Sequence, residues 1–315
     1  MVILLDGNYI LQKNARFLAK QKMLYGYLHR SLEKSINTYR TLFSFEKTIL
    51  VSDKGSSWRK KLYPDYKGNR VKDETIDWEF IYTAWEEYKS DLPPSIKLAE
   101  SDNVEGDDVI SVSVEKYNSE GKSCLIVTND YDIKQLVNLN MNGTFNIMTN
   151  EMFNREKVFI PKNLYYHLSK KVEMSSNDLF DLDDSNEEVS FLNSFFAKRD
   201  VSEIDSVEAI LEKIICGDDS DNIECVFKTK GKTGKYTGIG KAGYQKIINS
   251  YRDNFGEISF NDKDFYDNIS DLICEYKKVP LSNMNKIIDT IKFNQSLIDF
   301  SQIPNDIKNK VLSVI

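Results

Sequence analysis

The residues most able to do chemistry are acids that follow short apolar runs. Asp6 ends the run Val2–Leu5 and precedes Gly7. Asp53 follows Thr48–Val51, and Glu105, Asp107 and Asp108 come soon after Ile96–Ala99. Asp130 and Asp132 follow Ser123–Val127. Taken singly, several of these are ordinary acids of a helix first turn, held by capping and the helix dipole. Taken together they follow a rule: in a parallel sheet the carboxyl ends of the strands share one edge, and ligands bind there. Carboxylates gathered on one rim repel each other and raise each other's pKa unless cations neutralise them. All-oxygen ligands select hard ions, Mg²⁺ or Mn²⁺. Two such ions about 3.5–4 Å apart can activate water and stabilise the leaving oxygen of an in-line phosphoryl displacement.

Basic residues that would hold a phosphate stand beside the second run. SDKGSSWRKKLYPDYKGNRVK carries Lys54, Arg59, Lys60, Lys61, Lys67, Arg70 and Lys72. Lys67 and Arg70 are three apart and share a face if helical, from which they could bind and polarise a phosphate. A solvated basic helix surface would read the same way. Further on come Gly217-Asp218-Asp219-Ser220-Asp221-Asn222 and then Gly238-Ile239-Gly240-Lys241. A Gly-x-Gly turn opening a helix presents backbone N–H groups to a phosphate, although an ordinary tight turn between helices has the same sequence. From Cys225 to Arg252 there are seven basic residues and no Asp or Glu.

The elements that must position these groups alternate between strand and helix over the first ~150 residues, which predicts a parallel α/β sheet. The four apolar runs are its strands. A long amphipathic segment from about Ile10 to Phe43 lies between the first two. Asp77–Tyr88 reads as a helix with Phe80, Ile81, Ala84, Trp85 and Tyr88 on one side, and Pro93-Pro94 ends it. Val104–Tyr117 and Asp130–Val137 read as two more helices, and the chain from Arg252 to Ile315 as mainly helical. Val172–Ser190 holds seven acidic residues and no basic one, a composition that is usually solvated.

Composition narrows the chemistry further. The 315 residues carry 42 basic and 49 acidic side chains, a net charge of −7, which argues against a chain that coats nucleic acid over its whole surface. Two histidines and four cysteines without a CxxC pair make a structural zinc site or a disulfide framework improbable. No apolar run is long enough for a membrane span. With few cysteines and no targeting segment, the reducing cytoplasm is the expected compartment, and a monomer with no membrane partner is expected.

Four patterns, in order, resemble the 5′-nuclease family of flap endonucleases and phage 5′→3′ exonucleases. They are LLDGNY (Leu4–Tyr9), SDKGSSWRKKLYPDYKGNR (Ser52–Arg70), VEGDDVIS with TNDYDIKQL (Val104–Leu136), and CGDDSDNI followed by GIGKAGYQKII (Cys216–Ile248). The size and second half are similar to the phage replication nucleases that remove RNA primers. The resemblance implies a PIN-like parallel-sheet nuclease domain over residues 1–170, with a helical arch from about Val71 to Pro94. A mainly helical domain over 171–315 would contain a helix-three-turn-helix module at about 208–255. One Mg²⁺ or Mn²⁺ ion would be served by Asp6, Asp53, Glu105, Asp107 and Asp108, and a second by Asp130, Asp132, Asp218 and Asp221. Lys67 and Arg70 would act at the scissile phosphate. Arg59, Tyr66, Gly238, Gly240 and Lys241 would contact nucleic acid, with a K⁺ ion at the module in some relatives. The implied substrates are branched or primer-containing duplex DNA and RNA–DNA hybrids. Single-strand-binding protein and a sliding clamp are the implied protein partners. The segment Glu224–Thr237 departs from the family, whose members run from SDN almost directly into the GxG turn. Two other readings use the same acids: a catalytically silent DNA-junction binder on this fold, and an α/β phosphohydrolase of small molecules.

Overall fold

The computed structural model describes residues 1–22, 25–41, 45–140, 143–152, 155–162, 164, 199–230 and 234–315. The acidic stretch Val172–Ser190 lies outside them. The chain forms two compact units, neither contiguous in sequence. The first comprises Met1–Ser57, Lys72–Asp205 and Asn305–Ile315, and the second Trp58–Val71 and Ser206–Pro304. Two consecutive stretches meeting at residue 170 were expected; the compact units instead interleave along the chain.

The first unit is built on a sheet of β1 (Val2–Asp6), β2 (Lys47–Val51), β3 (Ile96–Ala99), β4 (Cys124–Val127), β5 (Asn146–Met152), β6 (Arg155–Pro161) and β7 (Asp200–Ile204). Its order is β3-β2-β1-β4-β5-β6-β7. Strands β1 to β5 run parallel, β6 is antiparallel to β5, and β7 runs parallel to β6. The first four strands fall where the apolar runs predict. Every residue of β1 is buried, as suits a central parallel strand covered on both faces. Strands β5 to β7 were not anticipated, because β5 buries polar groups among apolar ones. Its Asn146 exchanges hydrogen bonds with Asn118 and donates to Asn138.

Helices α1 (Gly7–Lys20), α2 (Leu28–Thr41) and α4 (Trp78–Ser90) share one apolar core with the sheet through Ile10, Leu18, Leu32, Ile36, Ile81 and Trp85. The single amphipathic segment expected over Ile10–Phe43 is therefore two helices. Lys22 turns the chain with a left-handed φ of 52°, a conformation that does not continue a helix. In α4, Ile81, Trp85 and Tyr88 are buried as expected, whereas Phe80 is 45% exposed. Helix α5 (Gly106–Ser119) packs against β1 and β4, and α10 (Asn305–Leu312) packs on α5, tied by Lys308 to Glu115.

The second unit is helical: α3 (Arg59–Leu62), α6 (Ser206–Cys216), α7 (Lys241–Phe255), α8 (Phe265–Lys277) and α9 (Met284–Ile298). A two-stranded ribbon, β8 (Thr229–Lys230) and β9 (Tyr236–Thr237), precedes α7. Its core joins Leu211, Ile214, Ile247, Tyr251, Phe265, Ile273 and Ile291. The apolar positions of α7 (Tyr244, Ile247, Ile248, Tyr251) recur at helical spacing and are all buried. No described helix is long and apolar enough to cross a membrane.

Candidate functional site

Asp6 is the last residue of β1 and caps α1: its Oδ1 accepts from the Tyr9 amide at 3.0 Å. Its Oδ2 accepts from the Thr128 hydroxyl at 2.6 Å, and Thr128 Oγ1 in turn accepts from the Asp130 amide at 3.0 Å. The abrupt passage from strand to helix depends on Gly7. A Cβ there would sit 2.5 Å from the Val51 carbonyl oxygen and 2.8 Å from the Trp85 ring.

The neighbouring strand ends bring their acids to the same rim. Strands β2 and β4 flank β1 in parallel register, with Asp6 opposite Val51 and Leu5 opposite Val127. Asp53, two residues past β2, accepts from the Gly106 amide at the start of α5. Glu105, just before that helix, accepts from Ser57 Oγ at 2.8 Å. In the first turn of α5, Asp107 is half-buried and Asp108 fully buried. Asp130 caps the 3₁₀ turn Tyr131–Leu136 by accepting from the Asp132 amide at 2.9 Å.

Burial pushes the Asp6 carboxyl up to about 6. The hydrogen bonds from Thr128 and Tyr9 oppose this rise, and the negative charges of Asp53 and Asp130 add to it. Asp53 and Asp130 thus lie close enough to disfavour the ionisation of Asp6. A cation among them removes that penalty, so a set of hard oxygen donors with this electrostatic bias fits a divalent metal.

The second unit uses its acids differently. Gly217 (φ 83°) turns the chain out of α6, and a Cβ there would lie 2.5 Å from the Ile223 carbonyl oxygen. The following Asp218 accepts from Lys213 Nζ at 2.7 Å and from Ser220 through both its amide (2.8 Å) and its hydroxyl (2.6 Å). Burial raises the Asp218 carboxyl, but the hydrogen bonds of Lys213 and Ser220 outweigh it and hold the group below its ordinary value. Asp221 is buried. Its Oδ1 pairs with Arg70 Nη2 at 2.5 Å and its Oδ2 accepts from the Tyr66 hydroxyl at 3.0 Å. The backbone completes this clamp: the Lys67 amide donates to the Asp221 carbonyl at 3.0 Å, and Arg70 Nε to the Ser220 carbonyl at 3.1 Å.

Several expected placements change. Lys67 and Arg70 are not on a helix; Lys67 has a left-handed φ of 57° within the turn that follows α3. Arg70 is half-exposed beside Asp221, and the Lys67 ammonium lies 5.0 Å over the Tyr66 ring. Arg59, expected to contact nucleic acid, is buried: its Nε donates to the Leu297 carbonyl at 2.7 Å and its guanidinium stacks on Trp58. Tyr66, expected at the same surface, is buried and bonded to Asp221. Both side chains hold the second unit together. Residue type announces a surface cation or ring, but a partner more than 150 positions away cannot be read from local sequence.

The Gly-x-Gly turn stands as expected, immediately before α7. Gly240 is its N-cap, and a Cβ there would meet nothing within 4 Å. Gly238 packs against Cys225, whose Sγ accepts from the Ile239 amide at 3.0 Å. Lys241 is exposed with its ammonium 3.2 Å from Glu212. A pocket of ≈ 400 Å³ beside the turn is lined by Asn222, Cys225, Lys228, Gly238 and Gly240, among others. Thr128, Ser57 and Lys213 support the acids and were missed by sequence reasoning. The signal for Thr128 was its place between a strand end and Asp130.

A mostly parallel sheet with a helical C-terminal region is the fold of solved phage nucleases. The chain aligns with the bacteriophage T5 D15 flap endonuclease in a pseudo-enzyme-product complex with DNA and metal ions at a TM-score of 0.60 and 20% identity, over 99% of this chain and 98% of that one. T5 D15 protein co-crystallised with metal ions gives a TM-score of 0.58 at 19% identity over the same shares. Residues 1–162 match the family model of the 5′-3′ exonuclease N-terminal resolvase-like domain, and the chain belongs to that family. It is also similar to ribonuclease H of Enterobacteria phage T4, with 32% identity over 115 residues. That stretch is 34% of this chain and 37% of the phage protein, so the match spans little more than a third of the relative's length.

Proposed function

We propose that this protein is a divalent-metal-dependent, structure-specific 5′ nuclease that hydrolyses phosphodiesters in branched or RNA-primed duplexes. The observation that carries the reading is the strand-end rim of the first unit, where burial and the charges of Asp53 and Asp130 push Asp6 up to about 6. Asp6, Asp53, Glu105, Asp107, Asp108, Asp130 and Asp132 are the proposed holders of Mg²⁺ or Mn²⁺. When bound, such ions supply an activated water and neutralise charge in an in-line displacement. Thr128 and the Tyr9 amide fix the orientation of the Asp6 carboxylate, and Ser57 that of Glu105.

In the second unit, Lys67 and Arg70 are proposed to contact phosphate. Asp221 and Tyr66 preset the position of Arg70, so less side-chain entropy is lost on binding. Asp218 and Asp221 are also proposed to serve metal ions. Gly240 and Lys241 are proposed to grip a duplex backbone in a helix-three-turn-helix module: the open N-terminus of α7 offers amides and the lysine adds charge.

Cleavage of end-labelled flap, nicked and RNA-primed duplexes, with and without Mg²⁺, tests the reading. Metal-dependent release of 5′ fragments is expected. A protein that binds these substrates without cutting them in Mg²⁺ would be the silent junction binder. One that ignores them and hydrolyses small phosphate esters would be the phosphohydrolase.

A further inference from the structure

The ribbon β8–β9 belongs to the segment that separates this chain from the family pattern, and the function so far leaves it without a role. Lys230 and Tyr236 stand opposite each other in its antiparallel register, so their side chains share one face. Both are exposed, Tyr236 to 68%. Lys235 is exposed beside them.

Three other cations of this basic tract lie beside a glutamate: Lys228 by Glu224, Lys241 by Glu212 and Arg252 by Glu208. Lys230 and Lys235 make no ion pair among the described residues. The ribbon also has a fixed base. Thr237 runs directly into Gly238, and Lys277 Nζ donates to the carbonyls of both, at 2.9 and 3.2 Å. An isolated two-stranded ribbon is marginally stable in water, and an aromatic ring on its open face adds nothing to the core.

We propose that the β8–β9 ribbon is a second duplex-binding element, which extends the grip of the Gly238–Lys241 turn along the nucleic acid. A two-stranded ribbon fits a duplex groove. Lys230 and Lys235 meet phosphates, which position the duplex without reading its sequence, and the Tyr236 ring lies against sugar or base. The proposal rests on the nuclease reading and adds the duplex side of the substrate to it.

The test is fluorescence anisotropy with a labelled flapped duplex, metal chelated, over a range of salt. The proteins compared are wild type, Lys230→Gln/Lys235→Gln/Tyr236→Ala, and the charge-conserving Lys230→Arg/Lys235→Arg. The first variant should bind at least tenfold more weakly. Its log affinity should fall about two fewer powers with log salt, because two phosphate contacts are gone. The arginine variant should keep both affinity and slope, which separates lost charge from a damaged ribbon. Wild-type affinity and slope in the first variant would overturn the proposal while leaving the nuclease reading intact. Failure of the wild type itself to bind the flapped duplex would remove both.

Discussion

The two units treat the same side chain in opposite ways. On the strand-end rim, Asp6 sits buried with Asp53 and Asp130 acting against its ionisation, and only neutral donors, Thr128 and the Tyr9 amide, support its charge. On the loop after α6, Asp218 has Lys213 and Asp221 has Arg70 as internal counter-ions. Asp6 is held by neutral donors, whereas Asp218 and Asp221 are ion-paired as folded. A cation at the rim would relieve the repulsion on Asp6, whereas one at the loop would compete with Lys213 and Arg70.

The largest expected effect breaks the comparison at the rim. Asp53→Asn or Asp130→Asn should slow single-turnover cleavage of a flap substrate by about 10²–10⁴-fold, the worth of a few kcal/mol of transition-state charge stabilisation. Wild-type rates in both variants would show that the rim does not serve catalysis.

A smaller effect uses pH. The Asp6 carboxyl binds its proton more tightly in the folded chain (about 6) than at its ordinary 3.8. Its contribution is therefore most favourable below 3.8 and is lost as pH rises through about 6. With metal chelated, Asp6→Asn should be more stable than wild type at pH 7 by up to about 3 kcal/mol, since each tenfold change in proton affinity is worth about 1.4 kcal/mol. Asp218 has the opposite sign: its folded carboxyl is held low, so its stabilisation is present at neutral pH and lost on acidification. Urea denaturation of wild type, Asp6→Asn and Asp218→Asn across pH should give opposite differences. Parallel curves for the two variants would contradict the contrast.

The smallest effect concerns the Arg70–Asp221 pair. Half-exposed Arg70 weakens it by solvent screening, so a double-mutant cycle of Arg70→Ala and Asp221→Asn should return a coupling of about 1 kcal/mol in thermal denaturation. A coupling near zero would make Arg70 as free in solution as a surface lysine.

The sequence made the sheet's first half and its acids legible for one reason: β1 to β4 are nearly uninterrupted apolar runs, and each acid stands where a run stops. The start of α7 was legible through Gly240 and the helical spacing of Tyr244, Ile247, Ile248 and Tyr251. The rest depended on contacts between distant residues. The β5 strand is disguised by Asn146, which is buried only because Asn118 and Asn138 satisfy its amide. Arg59 became a core residue through a carbonyl at Leu297, and Lys67 left helical geometry within the turn clamped to Asp221. Thr128 acquires its role only once β1 and β4 lie side by side.

The most direct measurement counts Mn²⁺ ions bound to the protein by electron paramagnetic resonance, at pH 8 and at pH 5, for wild type and Asp6→Asn/Asp53→Asn. Crowded carboxylates awaiting a cation predict Mn²⁺ bound by the wild type at pH 8, weaker binding at pH 5 as Asp6 takes up its proton, and loss of that binding in the double variant. Unchanged Mn²⁺ binding in the double variant, or none in the wild type at pH 8, would contradict it.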